Sequence, residues 1–312
     1  MRAVTLDSVP ATPAVSEIDA PRPEAGEVLV KVAVSSINGF DLATSAGYLQ
    51  GMMEHQFPLV VGKDFAGTVE ALGEGAEGFA IGQPVFGVVM KPVLGTGSLA
   101  EYVTVPAAYG IVPIPDGLAV NDAGALGLAG TAALAALDAA AVGAGETVLI
   151  SGATGGVGAL AVQLAAARGA RVIATARPGA EADFVTGLTG TSAHLIDYSG
   201  DVNAQVRTLA PEGVDAVLHL AGDGVALAGL LRQGGRIAST VGLTPDAVER
   251  TDVTVHPIMA DPNAQTLSAL ADHAASGALR VPVTATYPLE QAPEAFAAFG
   301  AGALGKLAVT CS

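Results

Sequence analysis

The stretch VLISGATGGVGALAVQLAAARGARVIATARP, from Val148 to Pro178, decides the fold of the chain. An apolar run is followed by a glycine-rich turn, an alanine-rich segment and a second apolar run. This order predicts a strand, a tight turn, an α-helix and a second strand. Further strands are predicted at AHLIDY, AVLHLAG and GRIASTVG, with the helical segments DVNAQVRTLA and GVALAGLLRQGG between them. Such alternation predicts an α/β fold with a doubly wound parallel sheet, covered by helices on both faces.

The first third of the chain predicts mainly β structure. Runs such as EVLVKVAVSSI, DFAGTVEALG, QPVFGVV and AEYVTVP are rich in β-branched residues and are bounded by turn residues. The connector VPIPDGL, which ends at Leu118, marks a domain boundary. We therefore predict a β-rich domain over residues 1–118 and a sheet domain over residues 119–261. The tail, residues 262–312, lies beyond the predicted sheet and is expected to fold back and complete the first domain.

Composition limits the range of partners. The chain has 312 residues, of which 51% are hydrophobic and 14% are charged, so large cores are expected and disorder is not. Its formal net charge of −16 argues against nucleic acid and against an anionic membrane surface as partners, because both attract basic surfaces. A small anionic cofactor remains compatible if backbone amides and an arginine hold it.

Cysteine content and hydropathy favour a cytoplasmic location. Cys311 is the single cysteine, so the chain can form no internal disulfide and no cysteine cluster for structural zinc. The N-terminal residues MRAVTLDSVP lack the apolar core of a signal peptide. The long run AGALGLAGTAALAALDAAAVGAG carries Asp138, which favours a buried helix over a membrane span.

The glycine-rich turn is a candidate phosphate site. Ala153, Gly155 and Gly158 have the spacing of the three small residues in a dinucleotide fingerprint, with alanine in place of the first glycine. Small side chains there permit a tight turn, close approach of the backbone to a pyrophosphate, and close packing of helix on strand. The alternative is a tight turn that holds no ligand. We predict a dinucleotide bound along Ala153, Thr154, Gly155, Gly156, Val157 and Gly158.

The end of the second strand, ATARP, indicates which dinucleotide binds. Ala176 occupies the position at which an NAD site usually carries an acidic residue, and Arg177 follows it. A carboxylate would repel the 2′-phosphate of NADPH, whereas a guanidinium pairs with it in a fork geometry. The alternative is that Arg177 is a solvated surface residue. We predict NADPH as the coenzyme.

Five further segments can be compared with known families: INGFDLATSAGY, FPLVVGKDFAGTVEALGEG, FAIGQPVFG, GTAALAAL and SGATGGVGALAVQLA. Together they resemble the zinc-independent medium-chain dehydrogenases/reductases, and within that family the quinone oxidoreductase branch that includes the zeta-crystallin type. They occur in the order and with the spacing of the family. The resemblance implies a GroES-like, partly barrel-shaped substrate domain beside a Rossmann domain, with the active site in the cleft between them.

Zinc-dependent relatives carry an early cysteine and a Gly-His-Glu motif, but the corresponding places read NGFD and GKDF in this chain. The five histidines show no metal-ligand spacing, and His219 is predicted to be a packed histidine. Without zinc, alcohol oxidation lacks its usual Lewis acid. The expected reaction is therefore hydride transfer to an electron-poor acceptor, either a quinone or an α,β-unsaturated carbonyl.

The resemblance also implies roles for individual residues near the nicotinamide. Asn38 and Asp41 match an Asn-Pro-x-Asp segment that lines the cleft, with Gly39 in place of the proline. Thr131 matches a threonine that lies against the nicotinamide or its ribose, and Gly242 matches a strand-end glycine beneath the nicotinamide.

Two further implied roles concern the 2′-phosphate and the proton. Tyr198 matches a tyrosine near the 2′-phosphate, and the lysine that is common there is replaced by Glu181 or a neighbour, which leaves more of the charge pairing to Arg177. Tyr48 follows a loop similar to one in enoyl reductases, in which a tyrosine is a proposed proton donor. A positioned phenol would act as a general acid, whereas the alternative is an aromatic wall of the pocket.

Three functions remain open from the sequence. They are an NADPH-dependent quinone or enone reductase, an enoyl-thioester reductase of a fatty-acid or polyketide pathway, and a dinucleotide-binding protein without turnover. The stretch DVTVHPIM, Asp252 to Met259, predicts an edge strand of the Rossmann sheet. Because exposed edge strands need covering, a homodimer is expected.

Overall fold

A computed structural model describes residues 1–311 of the chain. They form two compact units, one of Met1–Ala129 together with the residues from Pro262 onward, and one of Gly130–Asp261. The boundary predicted after residue 118 differs from the observed division after Ala129. The observed division falls inside one continuous helix, which runs from Val120 to Ala139.

The segment that precedes the parallel sheet consists mainly of short strands. Its elements are β1 (Arg2–Leu6), β2 (Ala14–Glu17), β3 (Glu27–Ser36), α1 (Gly39–Ser45), β4 (Glu54–His55), β5 (Leu59–Val60), β6 (Asp64–Leu72), β7 (Pro84–Val88), β8 (Val93–Leu94), β9 (Tyr102–Pro106), β10 (Ile111–Pro113) and α2 (Val120–Ala139).

Strands and helices then alternate, and the tail returns to a mixed pattern. The alternating elements are β11 (Thr147–Ser151), α3 (Gly156–Ala167), β12 (Arg171–Thr175), α4 (Ala180–Thr189), β13 (Ala193–Ile196), α5 (Val202–Leu209), β14 (Val214–His219), α6 (Gly224–Ala228), β15 (Leu231–Ser239) and β16 (Thr254–Pro257). The tail comprises α7 (Ala264–Ala275), β17 (Val283–Pro288), α8 (Ala292–Gly300) and β18 (Lys306–Thr310).

The second unit is the predicted doubly wound sheet. Its six strands lie in the order β13-β12-β11-β14-β15-β16, and every neighbouring pair is parallel. Four of the five residues of β11 are buried, as expected for a strand covered by helices on both faces. The strand order is that of a Rossmann fold, in which ligands bind at the carboxyl ends of the strands. The predicted edge strand is confirmed, because β16 lies at one edge of the sheet.

One predicted helix of this unit was wrong in its second half. The segment GVALAGLLRQGG forms a helix only from Gly224 to Ala228, and β15 already begins at Leu231. Leu231 pairs with Val214 and is buried in the sheet core, so tertiary packing takes it into a strand. A short apolar run does not by its periodicity distinguish a buried strand from a buried helix.

The first unit is built on a mixed sheet in the order β10-β7-β6-β3-β18-β17. The start of β3 pairs with β9, whereas its last three residues pair antiparallel with β18. The expectation that the tail folds back onto the N-terminal part is therefore confirmed. This pairing brings Lys306, the first residue of β18, to the end of β3.

Helix α2 packs closely on this sheet at its N-terminal half. A Cβ atom added at Gly124 would lie 2.8 Å from the Val34 side chain, and one at Gly127 would lie 2.7 Å from the Val88 side chain. By length and composition α2 could cross a membrane, but 67% of the apolar window is buried inside the protein. Such burial is what we predicted for a core helix.

Candidate functional site

The glycine-rich turn joins β11 to α3 in the second unit. Gly152 adopts a φ of +70°, a left-handed conformation that favours glycine, and its amide donates to Thr175 Oγ1 at 2.9 Å. The sequence assigned the first small residue of the turn to Ala153, so the contribution of Gly152 was missed. Its position, directly after the apolar strand, was the available signal.

Gly158 and Gly155 differ in what surrounds them. A Cβ atom at Gly158 would lie 2.1 Å from Gly152 O, so only glycine lets α3 approach the turn this closely. A Cβ atom at Gly155 would meet only Gly152 O, at 3.5 Å, which leaves the backbone there accessible. Gly155 is the N-cap of α3, and no side chain caps the helix. The first amides of α3 are therefore suited to bind a pyrophosphate.

Arg177 lies just beyond β12 in an ion-pair cluster, which we call the Glu181 cluster and define as Arg177, Glu181 and Tyr198. The Arg177 guanidinium donates to Glu181 Oε1 from Nε at 2.8 Å and from Nη2 at 2.5 Å, and the Tyr198 hydroxyl donates to the same oxygen at 3.0 Å. Partial burial alone would raise the pKa of Glu181, but these hydrogen bonds and that from the Arg177 amide hold it below its ordinary value. Arg177 and Tyr198 thus lie together, and Glu181 pairs with both of them.

A second turn forms beyond β15. Gly242 has a φ of +86°, and Ser239 Oγ accepts hydrogen bonds from the amides of Val241 and Leu243 on either side of it. His219, at the end of β14, is buried between Ser239 Oγ and Gly222 O at 3.0 Å each, which confirms a packed histidine. The glycine-rich turn, Arg177 and Gly242 therefore all follow the carboxyl ends of strands in one sheet, the usual ligand-binding edge. Thr131 is buried in α2.

The first unit holds a buried polar group that the sequence did not predict. The Asp64 carboxylate accepts hydrogen bonds at Oδ2 from Ser36 Oγ at 2.6 Å and Asn38 Nδ2 at 2.9 Å, and at Oδ1 from the Leu128 amide at 2.6 Å. Lys306 Nζ lies 3.2 Å from Asp64 Oδ2 and donates to Asn38 Oδ1 at 2.6 Å. We call these residues the Asp64 network. Its charges are buried and paired, as charges in a protein interior must be.

Asp41 and Lys63 lie beside this network. Asp41 accepts from the Asn38 amide at 2.8 Å and from the Gly62 amide at 3.1 Å. Burial, with a smaller contribution from the charge of Asp64, raises the pKa of Asp41 to about 7. Burial lowers the pKa of Lys63, whose Nζ donates to Val89 O at 3.0 Å and lies 4.7 Å from the centre of the Phe40 ring.

The donor set does not suit zinc. Zinc in proteins is held by thiolate, imidazole and carboxylate ligands, whereas the stretches NGFD and GKDF contribute a carboxamide, an ammonium and carboxylates that are already hydrogen-bonded. A cation at Asp64 would have to displace the Lys306 ammonium from it. Within residues 1–311, no group of three or more histidine, cysteine, aspartate or glutamate side chains is arranged to hold a metal ion.

The structure brings Asn38 and Asp41 together but leaves Tyr48 outside the network. Tyr48 follows α1, and its side chain is 76% exposed. The Asn38 side chain donates to Asp64 and accepts from Lys306, so it helps to position these two buried charged groups. The assignment of these three residues to catalysis stays a prediction.

Comparison with known proteins supports one family along the chain. Residues 24–116 match the family model described as "Alcohol dehydrogenase GroES-like domain", and residues 192–309 match the one described as "Zinc-binding dehydrogenase". A quinone oxidoreductase from Sus scrofa is 31% identical, over 90% of this chain and 87% of the relative. The solved quinone oxidoreductase from Coxiella burnetii superposes with a TM-score of 0.90 at 27% identity, covering 100% of this chain and 99% of that one.

A second kind of relative is much longer. A mycocerosic acid synthase-like polyketide synthase from Mycobacterium tuberculosis is 38% identical to this chain over 219 residues. The match covers 69% of this chain but only 10% of the synthase, so it concerns one part of a larger protein.

Proposed function

Because the chain belongs to the medium-chain dehydrogenase/reductase superfamily, as an NAD(P)-dependent oxidoreductase, we propose that it transfers a hydride from NADPH to a quinone or an α,β-unsaturated carbonyl without zinc. The names of the quinone oxidoreductase relatives support the class of acceptor. In the reaction, NADPH and one proton reduce a quinone to the hydroquinone, or an enone to the saturated ketone.

The observation that carries the proposal is the dinucleotide site of the second unit. When bound, the reduced nicotinamide supplies the hydride. The uncapped first turn of α3 would hold the pyrophosphate, since its amides and helix dipole both favour an anion. Arg177 and Tyr198 would contact the adenosine ribose end, where the guanidinium can pair with a 2′-phosphate.

The zinc-free part of the proposal rests on the Asp64 network. Lys306 and Asn38 already neutralise and hydrogen-bond the carboxylate that a metal would need. An acceptor that is electron-poor by itself needs no Lewis acid to receive a hydride. Quinones and enones meet that requirement.

The experiment is a substrate screen that follows NADPH oxidation with quinones, enals and enones, before and after dialysis against a chelator. We expect turnover with at least one quinone or enone, and we expect that turnover to survive dialysis. Loss of activity on dialysis with recovery on zinc addition would overturn the zinc-free proposal. Equilibrium binding of NADPH without consumption of any acceptor would identify a binding protein instead.

Two glycine variants, one a test and one a control, show whether the glycine-rich turn is needed for coenzyme binding and activity. Gly158→Ala places a Cβ atom 2.1 Å from Gly152 O, so we expect it to abolish NADPH binding and turnover. Gly187→Ala, in α4, meets nothing within 4 Å and should leave both unchanged. Circular dichroism would check that both variants keep the fold.

The similarity to a polyketide synthase favours a second candidate, an enoyl-thioester reductase. This activity uses the same hydride donor but an acyl thioester as acceptor. A crotonyl thioester in the screen separates the two candidates. Turnover of the thioester that is well above turnover of the best quinone would favour the enoyl-thioester reductase.

We also propose that the protein is a homodimer. β16 lies at the edge of the parallel sheet, and Met259 just beyond it is 88% exposed. Pairing two such edges would satisfy the open backbone groups of both copies. Solution scattering should give twice the mass of the chain, and a monomeric mass would contradict the proposal.

A further inference from the structure

Four hydrogen-bond donors converge on the carboxylate of Glu181. The Arg177 amide donates to Oε2 at 2.8 Å, and Arg177 Nε, Arg177 Nη2 and the Tyr198 hydroxyl donate to Oε1 at 2.8, 2.5 and 3.0 Å. The Arg177 guanidinium also lies 5.5 Å from the centre of the Tyr198 ring. Because Arg177 and Tyr198 cover it, the Glu181 side chain is only 12% exposed, against 58% for Arg177.

This donor set is also suited to a phosphate monoester. A planar guanidinium fork, a hydroxyl and a backbone amide bind phosphate oxygens as they bind carboxylate oxygens. In this chain the donors are already occupied by an internal anion. Glu181 also lies in the first turn of α4, where the helix dipole favours negative charge.

We propose that Glu181 occupies the 2′-phosphate position and thereby sets the coenzyme preference. The inference rests on the proposed NADPH site at Arg177. NADPH must displace the carboxylate from Arg177 and Tyr198 before its 2′-phosphate can bind, whereas NADH places no charge there and needs no displacement. Glu181 therefore weakens the binding of NADPH but not that of NADH. As a result, the preference for NADPH over NADH is smaller than it would be if Arg177 had no internal partner.

The charges around the cluster support this direction. Arg177 and Glu181 together carry no net charge, so a 2′-phosphate meets an arginine that is already neutralised. Hydrogen bonds from Ser199 hold the pKa of nearby Asp197 below its ordinary value, so this carboxyl stays ionised and adds negative charge. A partly exposed ion pair of this kind is worth up to about a fivefold change in affinity when a ligand must break it.

The test is equilibrium binding of NADPH and NADH, by calorimetry, to the wild type, Glu181→Gln and Asp183→Asn. Glu181→Gln should lower the Kd of NADPH about fivefold and change that of NADH less than twofold. Asp183→Asn removes the same charge two residues further along α4, from an exposed side chain, and should change neither Kd appreciably. In an Arg177→Ala background, Glu181→Gln should give no gain.

Other outcomes overturn the inference in distinguishable ways. Weaker NADH binding in Glu181→Gln, with NADPH unchanged, would mean that Glu181 accepts hydrogen bonds from the ribose hydroxyls. Weaker NADPH binding would mean that Glu181 orients Arg177 for the phosphate. An equal gain in Asp183→Asn would indicate general charge repulsion. Failure of the wild type to bind either coenzyme would refute the proposed function itself, whereas the outcomes above leave it intact.

Discussion

Replacing Lys306 with methionine would remove one partner of a buried ion pair and leave the other in place. The Lys306 side chain is 1% exposed and that of Asp64 is 0% exposed, with 3.2 Å between Nζ and Oδ2. Methionine keeps most of the apolar stem of lysine, so the packing changes little. The main effect is therefore an uncompensated carboxylate in the interior of the first unit.

The size of the effect follows from what remains around Asp64. Breaking a buried pair by removing one partner costs about 3–5 kcal/mol. Ser36 Oγ, Asn38 Nδ2 and the Leu128 amide still donate to Asp64, which favours the lower end of that range. Asn38 Oδ1 loses its ammonium donor, which adds about 1 kcal/mol. We expect Lys306→Met to lower the free energy of unfolding by about 3–4 kcal/mol.

The assay is urea unfolding followed by far-ultraviolet circular dichroism, run as a double-mutant cycle. Asp64→Asn alone leaves the ammonium unpaired and should also destabilise, but the double variant removes both charges. Its loss should be smaller than the sum of the single losses by about 2 kcal/mol or more. Lys91→Met is the matched control, because Lys91 pairs with Glu27 at 2.7 Å but with 20% and 13% exposed side chains. That pair should be worth about 1 kcal/mol.

Two results would refute this reasoning. The first is a free energy of unfolding of Lys306→Met that lies within about 1 kcal/mol of the wild-type value, which is a loss no greater than that of the Lys91→Met control. The second is strict additivity of the two single changes, which would mean that Lys306 and Asp64 contribute independently.

Three further predictions concern titration, thiol chemistry and proton donation. Burial raises the pKa of Asp41 from its ordinary 3.8 to about 7, so the folded protein holds a proton that the unfolded chain releases between these values. The free energy of unfolding should therefore fall by up to about 4 kcal/mol as pH rises from 4 to 7. The Asp41→Asn variant should lack this fall. The same dependence of unfolding free energy on pH in the wild type and the variant would contradict the prediction. Burial raises the pKa of the Cys311 thiol to about 12, so iodoacetamide should label it only after unfolding, and rapid labelling of the native protein would contradict that burial. Tyr48→Phe separates the two interpretations of Tyr48. A loss of enone turnover of about 100-fold with quinone turnover nearly unchanged is expected of a general acid, whereas unchanged enone turnover would assign Tyr48 to the pocket wall.

The central strands of the parallel sheet could be predicted from local pattern because burial dictates that pattern. β11 and β12 are continuous apolar runs that end at a glycine or a polar turn, and such runs lie in the middle of parallel sheets. The end of α6 could not be placed in this way. Leu231 is apolar in either interpretation, and only its pairing with Val214 puts it in a strand.

In the candidate site, too, features formed by neighbouring residues could be predicted, whereas features formed by distant residues could not. The turn from Gly152 to Gly158 is local, so its glycines indicate their function in the sequence. The ion pair of Arg177 with Glu181 is also local, four residues apart, and could have been recognised from the spacing. Asp64 and Lys306 are 242 residues apart, and no local pattern indicates that β18 places them together.

Because of the Asp64 network, we expect that one substitution would not create a metal site in the first unit. A histidine at position 63 would supply a ligand, but both oxygens of Asp64 would still be engaged, Oδ1 by the Leu128 amide and Oδ2 by Ser36, Asn38 and Lys306. A metal dication would bring two further positive charges next to the ammonium of Lys306, in an interior where unpaired charge is costly. Zinc binding would thus require removal of Lys306 together with new ligands at positions 38 and 63. The same arrangement holds the end of β3 to β18, since Ser36 and Lys306 contact one carboxylate.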